Sequence, residues 1–432
     1  MKNRKALALI AILALVAAAC GGSDGGSDEA VVEVETTEAP ATTEAPTTTA
    51  APAPASDPLI LASLMPLSGD LASLGPGIAL GAALAVEQIN AAGGINGQPV
   101  QLIEGDSGCD GAVALTSLND VIAQGAQGVM GAACSGTSLA ILDTAIAAEV
   151  VMISPSNTSP QFTKIDKEGF YARTAPSDLL QGDVLASLLV EDGVQTVSII
   201  SRADSYGRGL AEATAAAFEA AGGTVKTIVY HATDASEFTS EVTAVGKGGA
   251  DAIVGILFPE TGCGVLQPAF EQGLLDTPWY MTDGVKDAGL ASLCGLGTAL
   301  DGFKGTAPGS AAGEAKDAFE AAYAEVSADG SPTFIFAPQA YDAVMLMAIS
   351  AAANGVTGPE IASGLVAASS GGEKCIGVAC IALAADGVDV DYVGASGEIE
   401  LDAVGDPTAA TYDIWTTEGD TNPVLRSVDF GS

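Results

Sequence analysis

From Leu59 onward, short apolar runs alternate with longer stretches of helical periodicity, and this alternation narrows the possible folds more than any other property of the chain. Strands are expected over Leu59–Met65, Val100–Glu104, Gly128–Gly131, Val150–Ser154, Val197–Ser201, Val225–Tyr230 and Ala252–Phe258. Between them the spacing predicts helices over Leu74–Ala92, Val113–Ala123, Leu139–Ala148, Leu179–Glu191, Gly209–Ala221 and Phe238–Lys247. Alternation of this kind sets strands parallel, with helices on both faces of the sheet. Two such series predict two α/β lobes, for which 432 residues are ample.

In open parallel sheets, small molecules bind beyond the carboxyl ends of the strands, near helix N-termini. The loops at those ends are Pro66–Gly75, Gly131–Thr137, Ser154–Thr158, Ala203–Gly207, Phe258–Gly262 and Thr282–Asp287, rich in hydroxyls, glycine and acids. No Lys or Arg occurs between Lys5 and Lys164. An anionic group bound by the first lobe must therefore meet backbone N–H groups and hydroxyls, which Cys134-Ser135-Gly136-Thr137 and Ser156-Asn157-Thr158 supply.

Charge excludes several function classes. Fifteen basic against 54 acidic residues give a formal charge of −39. Nucleic acid needs clustered Lys and Arg, and anionic lipid surfaces need the same. Hydrophobic residues at 48% rule out a wholly disordered chain. The single histidine, His231, excludes a His-rich metal site, and no cofactor is expected. The acid excess reads as a solvated surface.

The N-terminus reads as an address. Lys2, Arg4 and Lys5 precede an apolar run of fourteen residues, Ala6–Ala19, too short to span a bilayer and suited to a signal peptide over 1–19. The small triplet before Cys20 resembles a bacterial lipobox, which makes Cys20 the expected lipid anchor; simple cleavage is the alternative. Residues 20–57, Gly/Ser then Thr/Ala/Pro/Glu, form an expected disordered acidic linker. Removing Cys20 from the seven cysteines leaves six, an even set for an exported protein. Six allow 15 connectivities, and pairing of sequence neighbours is one of them. Zinc is disfavoured, because no pair has CxxC spacing.

Several motifs have a bland reading beside a sharp one. Gly75-Pro76-Gly77 through Gly81 follows a strand and opens a helix, but its spacing is one residue off a dinucleotide fingerprint, so loop geometry is preferred. His231 lacks a Gly-x-Ser-x-Gly companion and reads as a surface turn residue. Asp283 and Glu260 fit a carboxylate pair, as in a glycosidase, but in a hydroxyl-lined cleft a lone carboxylate more naturally meets a ligand cation, and the bland reading is a solvated acid among 54. Tyr206 reads also as a packed helix-start aromatic, and Ser135 and Thr158 as helix caps.

The order of several strings resembles the type I periplasmic binding fold, in particular substrate-binding proteins of branched-chain amino-acid ABC transporters. The strings are Pro66-Leu67-Ser68-Gly69, Ala85-Val86-Glu87-Gln88-Ile89-Asn90-Ala91-Ala92-Gly93-Gly94-Ile95-Asn96-Gly97, Asp106, Ile153-Ser154-Pro155-Ser156-Asn157-Thr158-Ser159-Pro160, Ser205-Tyr206-Gly207-Arg208-Gly209, Asp283-Gly284 and Ala340-Tyr341-Asp342-Ala343. The resemblance implies a two-lobed clamshell of doubly wound parallel-sheet lobes joined by three hinge crossovers, closing on a ligand. Lobe 1 is expected over 58–176 and 306–371, lobe 2 over 177–305 and 372–432. By the same resemblance Ser135, Thr158 and the Ser156 N–H hold a ligand carboxylate, Tyr206 closes from lobe 2, and Asp283 pairs with the ammonium. Leu74, Phe258 and Glu260 complete the expected ligand set; Leu74 stands where the family often carries an aromatic, which bears on side-chain specificity. A family disulfide matches Cys109–Cys134, and Cys263–Cys294 and Cys375–Cys380 are expected beside it.

The function this implies is a lipid-anchored, extracytoplasmic, non-enzymatic monomer. It captures an aliphatic or branched-chain amino acid and delivers it to an ABC permease. The alternatives are short-amide or urea binding, ligand sensing on the same fold, and an anchored hydrolase, which turnover would reveal.

Overall fold

The computed structural model describes residues 57–331 and 333–430. The expected signal peptide, the Cys20 anchor and the linker to residue 56 lie outside the described residues. In the first lobe, β1 (Ile60–Met65), α1 (Gly75–Ala91), β2 (Gln101–Asp106), α2 (Gly111–Ala123), β3 (Gly128–Gly131), α3 (Ser135–Ala147), β4 (Val151–Ser154) and β5 (Tyr171–Arg173) follow in turn. Their strands form a parallel sheet in the order β2-β1-β3-β4-β5. β3 and β4 are buried at every position, which is why they read as unbroken apolar runs.

The Asn-Ala-x-Gly-Gly-Ile-x-Gly string has a local cause. In the last turn of α1 the Asn90 side chain accepts the Val100 N–H at 2.7 Å and donates to the Val100 carbonyl at 2.9 Å, so it sets the start of β2. Gly94 turns the chain at φ +74°, and a Cβ there would lie 1.9 Å from the Gln98 carbonyl oxygen. Only glycine fits.

The second lobe contains α4 (Asp178–Glu191), β6 (Thr196–Arg202), α5 (Ser205–Ala220), β7 (Thr224–His231), α6 (Thr239–Gly246), β8 (Ala252–Ile256), α7 (Pro259–Glu271), β9 (Trp279–Met281), α8 (Leu290–Leu293) and β10 (Lys304–Pro308). The chain then returns through α9 (Glu314–Val326), α10 (Ala337–Asn354), α11 (Gly358–Ser369), β11 (Glu373–Ile376), α12 (Ala379–Ala385), β12 (Val390–Gly394) and β13 (Gly397–Glu398). It closes with β14 (Ala410–Thr416) and β15 (Val424–Phe430). The second sheet runs β15-β14-β10-β9-β8-β6-β7, with β14 and β15 antiparallel additions. α10 packs on α1 and α11, and α4 on α5. Three passages join the lobes, after β5, after β10 and after β13.

Two expected boundaries need correction. β10 keeps residues 306–308 in the second sheet. The segment 372–432 is divided: β11, β12 and β13 form a separate small sheet, and β12 and α12 pack on α10 of the first lobe. Only β14 and β15 join the second sheet. The cause is Asp342 on α10, whose carboxylate accepts from Tyr392 Oη (2.7 Å), Ala395 N (2.7 Å) and Ser396 N (2.8 Å). Further along, Asp406 pairs with Arg173 at 2.7 Å and holds that stretch to β5.

His231 is also not at the surface. It is buried, its ring packs 4.6 Å from Phe238, and its Nδ1 lies 3.0 Å from the Ala232 carbonyl oxygen. Burial lowers its pKa. Cys109–Cys134, Cys263–Cys294 and Cys375–Cys380 are bonded, with Cα–Cα distances of 5.5, 4.9 and 5.4 Å. Among the described residues no helix is long and apolar enough to cross a membrane.

Candidate functional site

Loops leaving β1, β3 and β4 of the first sheet meet loops leaving β6, β8 and β9 of the second around one small cavity. Its wall is Leu71, Leu74, Ile78, Ala133, Ser135, Ser156, Tyr206, Phe258, Asp283, Gly284 and Phe336. Leu74, Ser135, Ser156, Tyr206, Phe258 and Asp283, all singled out from the sequence, are thus brought together. The cavity measures about 20 Å³, room for little more than one water. An amino acid does not fit this cavity as it stands.

The first-lobe wall is preorganised. Ser135 is the first residue of α3, so the positive end of that helix faces the wall. Asn157 Nδ2 donates to the carbonyls of Ala132 (3.1 Å) and Ala133 (2.8 Å), and Ser154 Oγ donates to Ala132 at 2.7 Å. Ser156 Oγ donates to the Ala133 carbonyl at 3.1 Å, and Ser135 Oγ accepts the Ser159 N–H at 3.4 Å. These bonds pin the turn before α3 to the loop after β4. Behind them, Arg173 Nη1 donates to the carbonyls of Asn157 (3.1 Å) and Ser159 (3.0 Å), while Asp406 occupies its other nitrogens. Arg173 therefore supports the loop and contributes no cation to the wall. Thr158, fully buried in that loop, does not reach the wall, and its Oγ1 has no hydrogen-bond partner.

The second-lobe wall is acidic. Asp283, on a single 3-10 turn after β9, accepts from Gln181 Nε2 at 2.8 Å and from Tyr206 Oη at 3.0 Å. Burial pushes its carboxyl up to about 6, and the two donors offset part of that shift. Tyr206 stacks on Phe258 with ring centroids 5.3 Å apart.

Sequence reasoning missed Asp178. This fully buried residue opens α4 behind its cap Ser177, and its N–H donates to the Thr158 carbonyl at 2.7 Å. Neither carboxylate oxygen has a hydrogen-bond partner. Burial raises its pKa well above the ordinary carboxylate range and the Asp283 charge adds to this; the nearby Thr158 hydroxyl opposes it, though the two do not meet hydrogen-bond geometry. Of the two, Asp283 is the one on the wall, and its ionised form is electrostatically complementary to a cation. The only sequence signal for Asp178 was an acid in a first helical turn, the commonest of solvated positions. Leu71, Ile78 and Phe336 were missed as well. Glu260, expected in the ligand set, is absent from the wall: its Oε2 accepts the Leu71 N–H at 3.0 Å instead. No group of three or more His, Cys, Asp or Glu among the described residues is placed to hold a metal.

Comparison with known proteins agrees with this architecture. An amino acid binding protein of Pseudomonas aeruginosa is 34% identical over 53% of this chain, and the chain spans 62% of its length. The leucine-, isoleucine-, valine-, threonine-, and alanine-binding protein of the same organism is 29% identical over 68% of this chain and 78% of its own. A branched-chain amino acid transporter substrate binding protein of Streptococcus pneumoniae, solved with isoleucine, superposes with a TM-score of 0.72 at 23% identity, covering 87% of this chain and all of the other. A benzoate-bound solute binding protein of R. palustris superposes at 0.71 with 19% identity, covering 87% of this chain and 98% of its own. At those identities the structures speak for the fold alone. The periplasmic binding protein family model matches residues 58–374, most of both lobes, and the chain belongs to that family.

Proposed function

We propose that this protein is a solute-binding component of an ABC transporter that holds an aliphatic α-amino acid between its lobes without turning it over. The observation that carries this reading is the charge layout of the cavity. Asp283 lies on its wall with Asp178 close behind, and hydroxyls at the positive end of α3 lie on the first-lobe side. A zwitterion matches both sides. Its ammonium meets the Asp283 carboxylate, and its carboxylate meets Ser135, the Ser156 N–H and, once the loop adjusts, Thr158. Leu71, Leu74, Ile78 and Phe336 offer an apolar end for the side chain. A ligand carrying only a carboxylate, such as the benzoate of one structural neighbour, leaves Asp283 on the wall without a counter-charge. Export by the N-terminal leader, anchoring through Cys20, action as a monomer and delivery to a permease belong to the same proposal.

Mass spectrometry of whatever co-purifies with the protein, followed by calorimetric titration with alanine, valine, leucine, isoleucine, benzoate and urea, tests the reading. Binding of benzoate or urea with no amino acid bound overturns it. Consumption of ligand during the titration favours the hydrolase alternative, and a genomic neighbourhood without permease and ATPase subunits favours the sensor.

Tyr206→Phe supplies a finer check. The tyrosine O–H stabilises the ionised form of Asp283, so removing it raises that carboxyl further. Affinity at pH 7 is expected to fall about tenfold, as for loss of a hydrogen bond to a charged group. The pH below which binding fades is expected to move upward, and a titration series from pH 5 to 8 reads both.

A further inference from the structure

We infer that Arg202 and Glu260 form a latch between the lobes, gripping the first-lobe loop that carries Asp70 and Leu71 and holding the cleft shut from outside the ligand cavity. Arg202 ends β6 and is buried. Its Nε donates to Asp204 at 2.8 Å and its Nη1 to Thr261 Oγ1 at 3.2 Å, and its guanidinium lies 3.9 Å from the centre of the Phe258 ring. Those three partners belong to the second lobe and keep the arginine in place whether the cleft is open or closed. Its Nη2 donates to Asp70 at 2.8 Å, across the gap. Beside this, Glu260 at the start of α7 accepts the N–H of Leu71 at 3.0 Å. One lobe thus presents a preset cation and a preset anion to two consecutive residues of the other.

The arrangement also couples the latch to the cavity. Phe258 and Leu71 line the wall. The Phe258 ring carries the Arg202 guanidinium and stacks with Tyr206, which bonds Asp283. A ligand that seats Phe258 and Leu71 therefore also seats the two groups that close the latch. Both latch bonds are charge-assisted and partly shielded from water, so opening the cleft forfeits them together. Arg202 and Glu260 are positioning residues: they act through the loop and ring, with no contact to the ligand. The inference rests on the reading of the cleft as a closing binding site, and its test separates the two.

Asp70→Asn, Arg202→Gln, their double variant and Glu260→Ala, with Glu260→Gln as the conservative partner, are compared with the parent. Stopped-flow binding uses L-valine as the probe, and small-angle X-ray scattering measures the ligand-free radius of gyration. Asp70→Asn and Arg202→Gln are each expected to raise the dissociation rate about tenfold with little change in association rate, because weakened closure acts on release. The double variant is expected to be no worse than the poorer single one, since both remove one ion pair. Glu260→Gln, which keeps an acceptor for Leu71, is expected to stay within about twofold, and Glu260→Ala to release faster. Ligand-free radii are expected to grow in every variant except Glu260→Gln. Single effects that multiply in the double variant, or an Asp70→Asn protein with parental radius and release, overturn the latch. Failure of L-valine to bind the parent, with radii still growing in the variants, leaves the latch standing and removes only the ligand assignment.

Discussion

Asp283→Asn is expected to weaken an α-amino acid by about 30-fold or more and, at the same pH, to make the ligand-free protein more stable. The affinity loss follows from removing one partner of a desolvated charge pair, about 2–5 kcal/mol in comparable interfaces, with every 1.4 kcal/mol a factor of ten. The stability gain follows from the direction of the pKa shift. Asp283 titrates near 6 in the folded protein against an ordinary 3.8. A carboxyl raised on folding contributes stability that is fully present below the unfolded value and is lost as pH rises through the folded one. Above pH 6 the buried charge therefore costs about 3 kcal/mol, from 1.36 kcal/mol per unit, and a neutral asparagine removes that cost. The parent is expected to lose affinity for the amino acid as pH falls through about 6, because protonated Asp283 no longer meets the ammonium. Urea denaturation without ligand at pH 5 and 7.5, beside calorimetric titration at the same values, reads all three effects. Parental affinity in Asp283→Asn sinks the ammonium assignment and favours an amide or urea.

Much of the first lobe was legible in the sequence because β1, β3 and β4 are buried almost throughout and read as apolar runs between helices, as over Leu59–Met65 and Val150–Ser154. The small sheet β11–β13 was not. Its strands are short, half-exposed in β11, and lack a period that sequence reasoning reads. What ties β12 and the turn after it to α10 is a buried carboxylate, Asp342, whose sequence context looks like any helical Tyr-Asp-Ala, and β11 and β13 pair on β12. Residues singled out beside glycines and hydroxyls at strand ends, Ser135, Ser156 and Asp283 among them, lie together on one cavity wall. Asp178 escaped because an acid after a serine cap is ordinary chemistry at a helix start; only burial makes it unusual. Glu260 was misplaced for a related reason. The sequence reads Phe258–Gly262 as a loop, whereas Glu260 stands in the first turn of α7, and the direction of its side chain is set by the amide of Leu71 on the other lobe, which no local pattern encodes. Phe336 enters the wall from a left-handed backbone position, φ 61°, which a phenylalanine rarely adopts and a sequence does not announce.

Removing the Cys109–Cys134 bond by a double alanine substitution is expected to destabilise the protein by about 3 kcal/mol while changing ligand affinity only a few-fold. Twenty-five residues separate the two cysteines, and closing such a loop restricts the unfolded chain by about 3.5 kcal/mol in the chain-entropy account. The Cys375–Cys380 bond spans five residues, so the same account gives its removal about 2 kcal/mol. The pair of variants therefore separates loop-closure stabilisation from a generic effect of losing two sulfurs. Binding is expected to survive because Cys134 caps α3 without a side-chain hydrogen bond of its own. The turn beside it is held independently by Asn157, Ser154 and Ser138 through the carbonyls of Ala132 and Ala133. Ser135 thus keeps its place when the sulfur bridge behind it is gone. Equilibrium denaturation of both double variants without reductant, with calorimetric titration at a temperature where each is folded, gives the comparison. An affinity loss beyond tenfold in the Cys109/Cys134 variant means the disulfide, and not the hydrogen-bonded turn, positions the first-lobe wall. Equal destabilisation of the two variants means that loop length does not govern what these bridges contribute.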